Sequence, residues 1–447
     1  MQLINRYKRE TTVLGIIILF LAALLIINVI RSTPDKANAT ITQLLGTANQ
    51  TSNNPAASAS PTDQQITSLQ QKLKSEPKSA PNNAKLGLAY LQKAREAGDP
   101  TFYNKAEAVF KKSLELDPKN YEALGGLGAL SLSRHQFEKG LEYGQQALAL
   151  NPTSYSLGVI ADAQIELGRY DEATATVQTM VNIRPDISSY ARVSYIRELF
   201  GEYDGAIEAM KEAVDAGAPG TENRAWVTYQ LGNLYYNRGD FKSAEKIFND
   251  ALLYYPNYFY AQAGLAKIYA ARGDISKGIG ILADVTRRMP LPEFIIELGD
   301  LYTLANQTRE AGQQYKLVEG IMEIYRDNGV DTDMEMALFQ ADHNSNLSEA
   351  LAGAKQKAYL RQSYKTADVL AWTLYKSGDY KGAAEASRQA LRLGTQDRLA
   401  FFHAGMIANK LGQKEEARSY LQKALINPGF SFLYAAEARL TLAAPGN

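Results

Sequence analysis

The chain of 447 residues contains no cysteine. This absence excludes a disulfide framework, a cysteine-ligated metal site, a cysteine nucleophile and a lipid anchor attached through a thioether. It fits a protein of an oxidising compartment.

The sequence also lacks an excess of either charge. The 48 Lys and Arg residues balance the 48 Asp and Glu residues, which gives a formal net charge of zero. Proteins that hold nucleic acid through its phosphates carry a basic excess. We therefore expect no nucleic-acid partner.

Residues that commonly carry chemistry are scarce. The three histidines, His135, His343 and His403, lie far apart, and no two of them have the spacing of metal ligands. The sequence has no P-loop, and residues 125–128, which are Gly-Gly-Leu-Gly, follow no strand as a dinucleotide-binding motif would. We expect structural roles for the histidines, no metal, no cofactor and no enzymatic activity.

One apolar run lies near the N-terminus. No charged residue occurs between Thr11 and Ile30, and the run from Val13 onward is almost wholly aliphatic. At about 1.5 Å per residue, such a helix is about 30 Å long, which is the hydrocarbon thickness of a bilayer. We predict a transmembrane helix at residues 11–30, a signal anchor for a single-pass membrane protein.

The flanking charges indicate how this helix is oriented. Arg6, Lys8 and Arg9 precede the helix, whereas Arg31 and Lys36 follow it, which favours a cytoplasmic tail at residues 1–10. The large remainder would then be extracytoplasmic. Two alternatives are a signal peptide cleaved near residues 37–39, which are Ala-Asn-Ala, and a buried core helix.

A polar stretch follows the apolar run. Residues 31–61 are rich in Ser, Thr, Asn, Ala, Pro and Gln, and we predict a flexible linker because they have few large apolar side chains. We predict one helical solenoid from residue 62 to residue 447. Apolar residues at helical spacing in 63–75 indicate a first helix that caps its open end.

A period of about 34 residues runs through the chain beyond Pro81. Its clearest copy consists of Leu231, Gly232, Tyr235, Gly239, Phe241, Ala244, Phe248, Ala251 and Pro256. The pattern returns one period later at Leu265, Ala266, Tyr269, Gly273, Leu282 and Pro290. Such a period predicts an all-α solenoid of stacked helix pairs.

These residues resemble those of the tetratricopeptide repeat family, which implies two antiparallel helices per repeat and a right-handed superhelix. We expect about ten helix-turn-helix repeats between residues 83 and 430. Each has a small residue where the helices approach most closely, namely Ala106, Gly140, Ala173, Ala206, Ala244, Gly278, Ala311, Ala350, Ala383 and Ala417. The turns carry residues that tolerate a left-handed backbone, namely His135, Gly168, Gly201, Gly239, Gly273, Asn306, Gly378 and Gly412.

Four places depart from the repeat. The first repeat has an insertion of about seven residues, so 94–103 is either a longer first helix or an extended turn. In the eighth repeat, Asn344–Asn346 replaces the turn glycine. The connections 215–223 and 320–333 are stretched and predict a bend or an extra helical turn. We expect a C-terminal capping helix at 430–442.

The resemblance implies that function resides on the concave groove, which the first helices of the repeats line. In the family's register, a first cluster of groove residues consists of Trp226, Tyr229, Asn233, Tyr236, Asn237, Tyr260 and Lys267. A second cluster consists of Lys365, Asp368, Trp372, Tyr375 and Lys376. Aromatic side chains offer large contact area and dominate binding hot spots. The alternative for both clusters is packing between helices, which is also our interpretation of Tyr254, Tyr255, Tyr258 and Phe259.

Some members of the family clamp a peptide carboxylate with Asn and basic residues of three consecutive repeats. Asn233 matches this pattern, but Gly264 replaces the second Asn, and Glu293 and Glu297 replace the basic residues. We therefore do not expect such a clamp.

The expected function is a non-catalytic, membrane-anchored scaffold that binds a peptide or protein partner in the groove. Two alternatives are an accessory role in export of polysaccharide across the cell envelope and a solenoid that associates with copies of itself.

Overall fold

The structure is a computed structural model, and it describes residues 60–444. These residues form 22 α-helices and no strand. In chain order the helices are α1 Pro61–Ser75, α2 Ala80–Ala97, α3 Thr101–Leu116, α4 Tyr121–Ser133, α5 Phe137–Leu150, α6 Ser154–Glu166, α7 Tyr170–Ile183, α8 Ile187–Leu199, α9 Tyr203–Ala216, α10 Glu222–Asn237, α11 Phe241–Tyr254, α12 Phe259–Ala271, α13 Ile275–Arg288, α14 Pro292–Leu304, α15 Thr308–Asp327, α16 Asp333–Asp342, α17 Leu347–Leu360, α18 Tyr364–Lys376, α19 Tyr380–Leu391, α20 Arg398–Lys410, α21 Lys414–Ala424 and α22 Ala435–Ala443.

Helices α2 to α21 form ten consecutive pairs, α2 with α3 through α20 with α21. We number these pairs repeats 1 to 10, and we call the first helix of each pair helix A and the second helix B. Helix B also packs against helix A of the next repeat. At the junction of repeats 7 and 8, Met322 of α15 and Phe339 of α16 share one apolar cluster, so the stack is continuous. The expected all-α solenoid of about ten repeats is confirmed.

The turns between helix A and helix B have the expected left-handed backbone. The φ angles are 79° at Gly168 and 82° at Gly239, whereas His135 and Asn306 adopt 56° and 58°. A Cβ atom makes this conformation unfavourable, so Gly, and less often Asn or His, occupies it. In repeat 8, where the glycine is missing, Asn344 has a φ of 51°.

Aromatic rings of helix B explain the glycines of helix A. The ring of Phe248 is fully buried, and a Cβ atom at Gly264 would lie 2.6 Å from one of its carbons. A Cβ atom at Gly232 would overlap the same ring from the preceding helix A. The small residues of helix B, such as Ala244 with no exposed surface, permit the close approach of the paired helices.

The places that depart from the period of about 34 residues differ in structure from one another. The insertion in repeat 1 lengthens helix A, because α2 has 18 residues and is capped after Ala97 by Gly98, whose φ is 63°. The connection 320–333 extends α15 to 20 residues, whereas 215–223 contains a loop between α9 and α10. The C-terminal helix begins at Ala435, so the expectation that it starts at residue 430 is wrong: residues 425–434 form turns.

Helix α1 covers the open end of repeat 1 as expected. Leu69 is 6% exposed in the core that α1 shares with α2, and Ile66 and Leu73 pack against that core. Lys93 of α2 forms an ion pair with Asp63 at 2.7 Å.

Successive turns of the superhelix touch each other along a line that we call the seam. The A–B turn of each of the first five repeats approaches the connection that follows the repeat five places later. The pairs are Gly98 with Leu291, Arg134 with Asp331, Leu167 with Gln362, Gly201 with Gly394, and Gly239 with Ile426. The seam includes hydrogen bonds between residues 193 positions apart, Gln136 with Gly329, and 197 positions apart, Arg134 with Asp331. One superhelical turn therefore takes between five and six repeats.

Polar contacts hold the seam. The backbone N–H of Asp331 donates to the carbonyl of Arg134 at 3.0 Å, and Arg134 Nε donates to the carbonyl of Asn328 at 2.9 Å. The backbone N–H of Tyr364 donates to the hydroxyl of Tyr170 at 2.8 Å. Because the seam closes the side of the superhelix, the concave faces of the A helices enclose an axial channel.

The expected tail at 1–10, transmembrane helix at 11–30 and most of the linker at 31–61 lie outside the described residues. Within residues 60–444, no helix is both long enough and apolar enough to cross a bilayer.

A pair of glycine substitutions tests the seam. Gly168→Ala and Gly378→Ala both place a Cβ atom at a positive φ, at a cost of about 1–2 kcal/mol. The methyl group at 168 would also overlap the carbonyl oxygen of Gln362, whereas no described atom lies within 4 Å of one at 378. In urea unfolding followed by circular dichroism, we expect Gly168→Ala to lower the free energy of unfolding by about 1–3 kcal/mol more than Gly378→Ala does. Equal effects would contradict the seam.

Candidate functional site

The axial channel contains a cavity of about 450 Å³. Helices A of repeats 4 to 10 surround it, and its wall carries tyrosines and charged side chains of both signs. The tyrosines are Tyr195, Tyr203, Tyr236 and Tyr364, the carboxylates are Glu198, Glu297, Asp300, Asp342 and Asp397, and the cations are Lys267, Lys365 and Arg398.

The first cluster lies on two neighbouring A helices. Tyr229 contacts Tyr260 of the next repeat with ring centroids 5.5 Å apart, and Tyr260 contacts Phe294 at 5.2 Å. Trp226 shares the register position of Tyr260 and is 41% exposed. Asn233 donates to Gln230 at 3.2 Å. The structure thus brings Tyr229, Tyr260 and Phe294 together and leaves the side chain of Trp226 exposed.

Lys267 lies beside Glu297, one of the two acidic residues at the clamp positions. Its Nζ lies 3.4 Å from the carboxylate of Glu297 and 5.4 Å from the ring centroid of Tyr236. Burial lowers the pKa of Lys267, but the Glu297 carboxylate together with the hydroxyls of Tyr229 and Tyr236 outweighs this effect and raises the pKa overall. Because its cation is already paired, this site does not present the free basic residue that a peptide carboxylate requires.

A second charged group faces the cavity from repeats 4, 9 and 10. Burial raises the pKa of Glu198 to about 7, although Lys365 opposes this shift and Asp397 adds to it. The neighbouring Tyr195 hydroxyl raises the pKa of Lys365. Tyr195 and Glu198 were not among the predicted residues. Applying the family's groove register to repeat 4 identifies both.

The second cluster is covered by the protein itself. Trp372 is 1% exposed, its ring stacks on His403 at 4.2 Å, and its Nε1 donates to Asp342 at 2.8 Å. Asp368 accepts a hydrogen bond from His403 Nδ1 at 3.1 Å. Tyr375 stacks on Trp372 with centroids 4.8 Å apart. The expectation that Trp372 presents free groove surface is wrong, because residues after α21 fold back over it.

Tyr236 of the first cluster is also covered by the protein itself and does not present free groove surface. It is 5% exposed, and its hydroxyl donates to the carbonyl of Gly429 at 2.7 Å. The sequence pattern could not show this contact, because its two members are 193 residues apart.

The packing interpretation of four aromatic residues is correct for three of them. Tyr258 is 4% exposed, and Tyr255 and Phe259 are partly buried against the cores of repeats 5 and 6. Tyr254 is 57% exposed, so that part of the interpretation is wrong. It is the last residue of α11, where the helix surface turns to solvent.

The three histidines occupy structural positions. His135 forms a turn, and its Nδ1 lies 2.8 Å from the carbonyl oxygen of Asp331 in the seam. His403 is fully buried. Both ring nitrogens of His343 face acceptors, the carbonyl of Phe339 and the carboxylate of Asp300. Among residues 60–444, no group of three His, Cys, Asp or Glu side chains could hold a metal ion.

Two models of the tetratricopeptide repeat match the chain. One matches residues 131–194, 199–268 and 239–294, and the other matches 91–155 and 369–431. Together these matches cover more than half of the sequence. The chain therefore belongs to the tetratricopeptide repeat family, whose fold typically serves as a binding scaffold.

The chain is also similar to individual repeat proteins. It is 26% identical over 242 residues to a TPR repeat-containing protein of Methanocaldococcus jannaschii, with 54% of this chain and 36% of that protein covered. It is 23% identical over 281 residues to cellulose synthase 1 operon protein C of Komagataeibacter xylinus, with 62% of this chain and 19% of that protein covered. The match thus spans about a third or less of the length of these relatives.

Solved structures resemble the fold at low identity. The human IFIT1 dimer with m7Gppp-AAAA has a TM-score of 0.47 and 18% identity, with 74% of this chain and 76% of that chain covered. The thermophilic TPR protein TTC0263 of Thermus thermophilus has a TM-score of 0.38 and 20% identity, with 43% of this chain and all of that chain covered. Neither likeness bears on what this chain binds.

The enclosed carboxyl of Glu198 predicts a pH-dependent stability. Its folded-state pKa of about 7 lies above the ordinary 4.5, so its protonated form favours folding below pH 4.5, and this contribution is lost as the pH rises through 7. Glu198→Gln is neutral at every pH. We expect it to match the parent protein at pH 4.5 and to be about 1–3 kcal/mol more stable at pH 8.

Urea midpoints of both proteins between pH 4.5 and pH 8 measure this difference. Glu212→Gln is the matched control, because Glu212 is exposed on helix B of the same repeat and its charge is screened by solvent. A constant difference between Glu198→Gln and the parent protein would refute the prediction.

Proposed function

We propose that this tetratricopeptide repeat protein is a non-catalytic scaffold that binds a segment of a peptide or protein partner in its axial channel. The observation that carries the proposal is the aromatic ladder of Tyr229, Tyr260 and Phe294, with Trp226 exposed on the same helix as Tyr229. Aromatic side chains of this kind contribute large contact area and a polar group, and they dominate protein interfaces.

The closed seam supports a particular form of partner. A folded domain would have to separate the turns of the superhelix, whereas a flexible segment enters the channel without breaking the contacts of Arg134 and Tyr170. Carboxylates and tyrosine hydroxyls along the wall are suited to hydrogen bonds with the main chain of such a segment.

The scaffold is membrane-anchored in this proposal. Residues 11–30 form a transmembrane helix, residues 1–10 lie in the cytoplasm, and the repeats lie on the opposite side, connected by residues 31–61. The uncharged run and the larger number of basic residues before it support this arrangement.

An accessory role in polysaccharide export is a second candidate. The similarity to cellulose synthase 1 operon protein C, 23% identity over 281 residues, favours it. Tyrosine rings with neighbouring carboxylates also suit sugar rings and their hydroxyl groups. Genes for glycosyltransferases and polymerases beside this gene would favour this candidate, whereas genes for a translocase or chaperone would favour a protein partner.

Trp226→Ala tests the channel as the binding site. Truncating a buried interface tryptophan commonly costs at least about 2 kcal/mol of binding, so we expect capture of the partner in affinity purification with mass spectrometry to fall more than tenfold. Tyr359→Ala is the control, because Tyr359 is 86% exposed at the end of helix B in repeat 8. Unchanged capture by a Trp226→Ala protein with normal helical circular dichroism would refute the assignment.

Protease accessibility tests the anchor. In a bacterial host that expresses the full chain, protease added to intact spheroplasts should digest the repeats if they lie outside the cytoplasm. A cytoplasmic marker protein should survive in the same sample. Full protection of the repeats would overturn the proposed orientation.

A further inference from the structure

A segment of the chain itself lies inside the channel. After α21 the chain does not continue outward from repeat 10 but turns back across the axis at residues 427–434, which we call the inner segment. Asn427 Nδ2 donates to the carbonyl of Tyr236 in repeat 5 at 2.9 Å, and the hydroxyl of Tyr236 donates to the carbonyl of Gly429. Phe432 packs against the apolar cluster of repeats 6 and 7 that includes Phe294.

The other end of the inner segment contacts repeats 8 to 10. The hydroxyl of Tyr434 donates to Asp342 of repeat 8 at 3.0 Å, and its ring stacks on Phe402 with centroids 4.7 Å apart. The edge of the same ring meets Trp372 of repeat 9 at 5.4 Å. A helix that only capped repeat 10 would need none of the contacts with repeats 5 to 8.

The inner segment resembles a bound peptide in its chemistry. It is a series of turns between α21 and α22, and its aromatic side chains stand at alternate positions, Phe430, Phe432 and Tyr434. All three pack on the groove, Phe430 through the ring of Phe402 at 5.7 Å. Trp372, which the ring of Tyr434 meets, is a residue that the family register assigns to partner binding.

We propose that the inner segment is a displaceable occupant of the groove, and that the partner which replaces it is a peptide with aromatic side chains at alternate positions. This inference rests on the proposed function and specifies the chemistry of its ligand. Because an occupied groove is unavailable, the apparent affinity for a partner falls by the fraction of molecules in which the inner segment is bound.

Gly429 offers a substitution that dislodges the inner segment and leaves every groove side chain unchanged in sequence. A Cβ atom there would lie 2.6 Å from Cβ of Ala271 and 2.6 Å from the hydroxyl oxygen of Tyr236, so Gly429→Ala pushes the segment away. Gly312→Ala is the matched control, because it adds the same methyl group where no described atom lies within 4 Å.

The probe is a fluorescein-labelled peptide of sequence NPGFSFLYAA, which copies residues 427–436. Fluorescence anisotropy should show binding to full-length Gly429→Ala at least tenfold tighter than to the parent protein and Gly312→Ala. A peptide with Ser in place of Phe430, Phe432 and Tyr434 should not bind. Equal affinities for the three proteins, or equal binding of the Ser peptide, would overturn the inference.

A second variant keeps the test valid if Gly429→Ala loses helical circular dichroism. Tyr434→Phe removes only the hydrogen bond to Asp342 and should also tighten peptide binding, whereas unchanged affinity counts against the inference. Failure of the inference can be distinguished from failure of the proposed function. If Gly429→Ala leaves peptide affinity unchanged while Trp226→Ala abolishes partner capture, the inference is wrong and the channel assignment stands. If Gly429→Ala binds the peptide more tightly while Trp226→Ala captures the partner normally, the inference is supported and the first cluster is excluded as the binding site.

Discussion

The contact between successive turns of the superhelix is the constraint on which the rest of the structure depends. Stacked helix pairs bury a core only between neighbours, which leaves the radius and pitch of a solenoid open to small changes at each interface. Here the left-handed turns at Gly168 and Gly201 meet the backbone of the connections five repeats later at such short range that no Cβ atom fits. Small deviations cannot accumulate, and an open groove becomes an enclosed channel.

Enclosure changes the chemistry of side chains that would be ordinary on an open surface. Charged groups of helix A face one another across the axis instead of bulk solvent, so the charged form of Glu198 is disfavoured while Lys267 stays paired with Glu297. The channel also limits which partners enter, and the inner segment occupies part of it already. Tyr236 contributes to the channel wall and also binds the inner segment, because its hydroxyl donates to the carbonyl of Gly429.

Sequence-based prediction succeeded for residues whose contacts lie within one repeat and failed for a residue whose contacts come from remote parts of the chain. Turn residues such as His135 and packing residues such as Ala244 act within one repeat, so a pattern with a period of about 34 residues was enough to identify them. Trp372 was assigned correctly to helix A, but it is buried by His403 of the next repeat and by Tyr434, which lies outside the repeat pattern. The prediction that Tyr254 packs against its neighbours was wrong for a simpler reason, because this residue ends a helix whose last turn is exposed.

The sequence by itself determined the family, the number of repeats and the turn residues of repeats 2 to 10, since glycine, alanine and aromatic residues at fixed spacing satisfy local steric needs. It also predicted that Trp226 and Tyr229 lie on the concave face. Only the tertiary structure decided that this face is enclosed and that the C-terminal segment crosses it. Both features arise from contacts between residues nearly 200 positions apart, such as Tyr236 with Gly429, whose geometry depends on small rotations summed over five repeats.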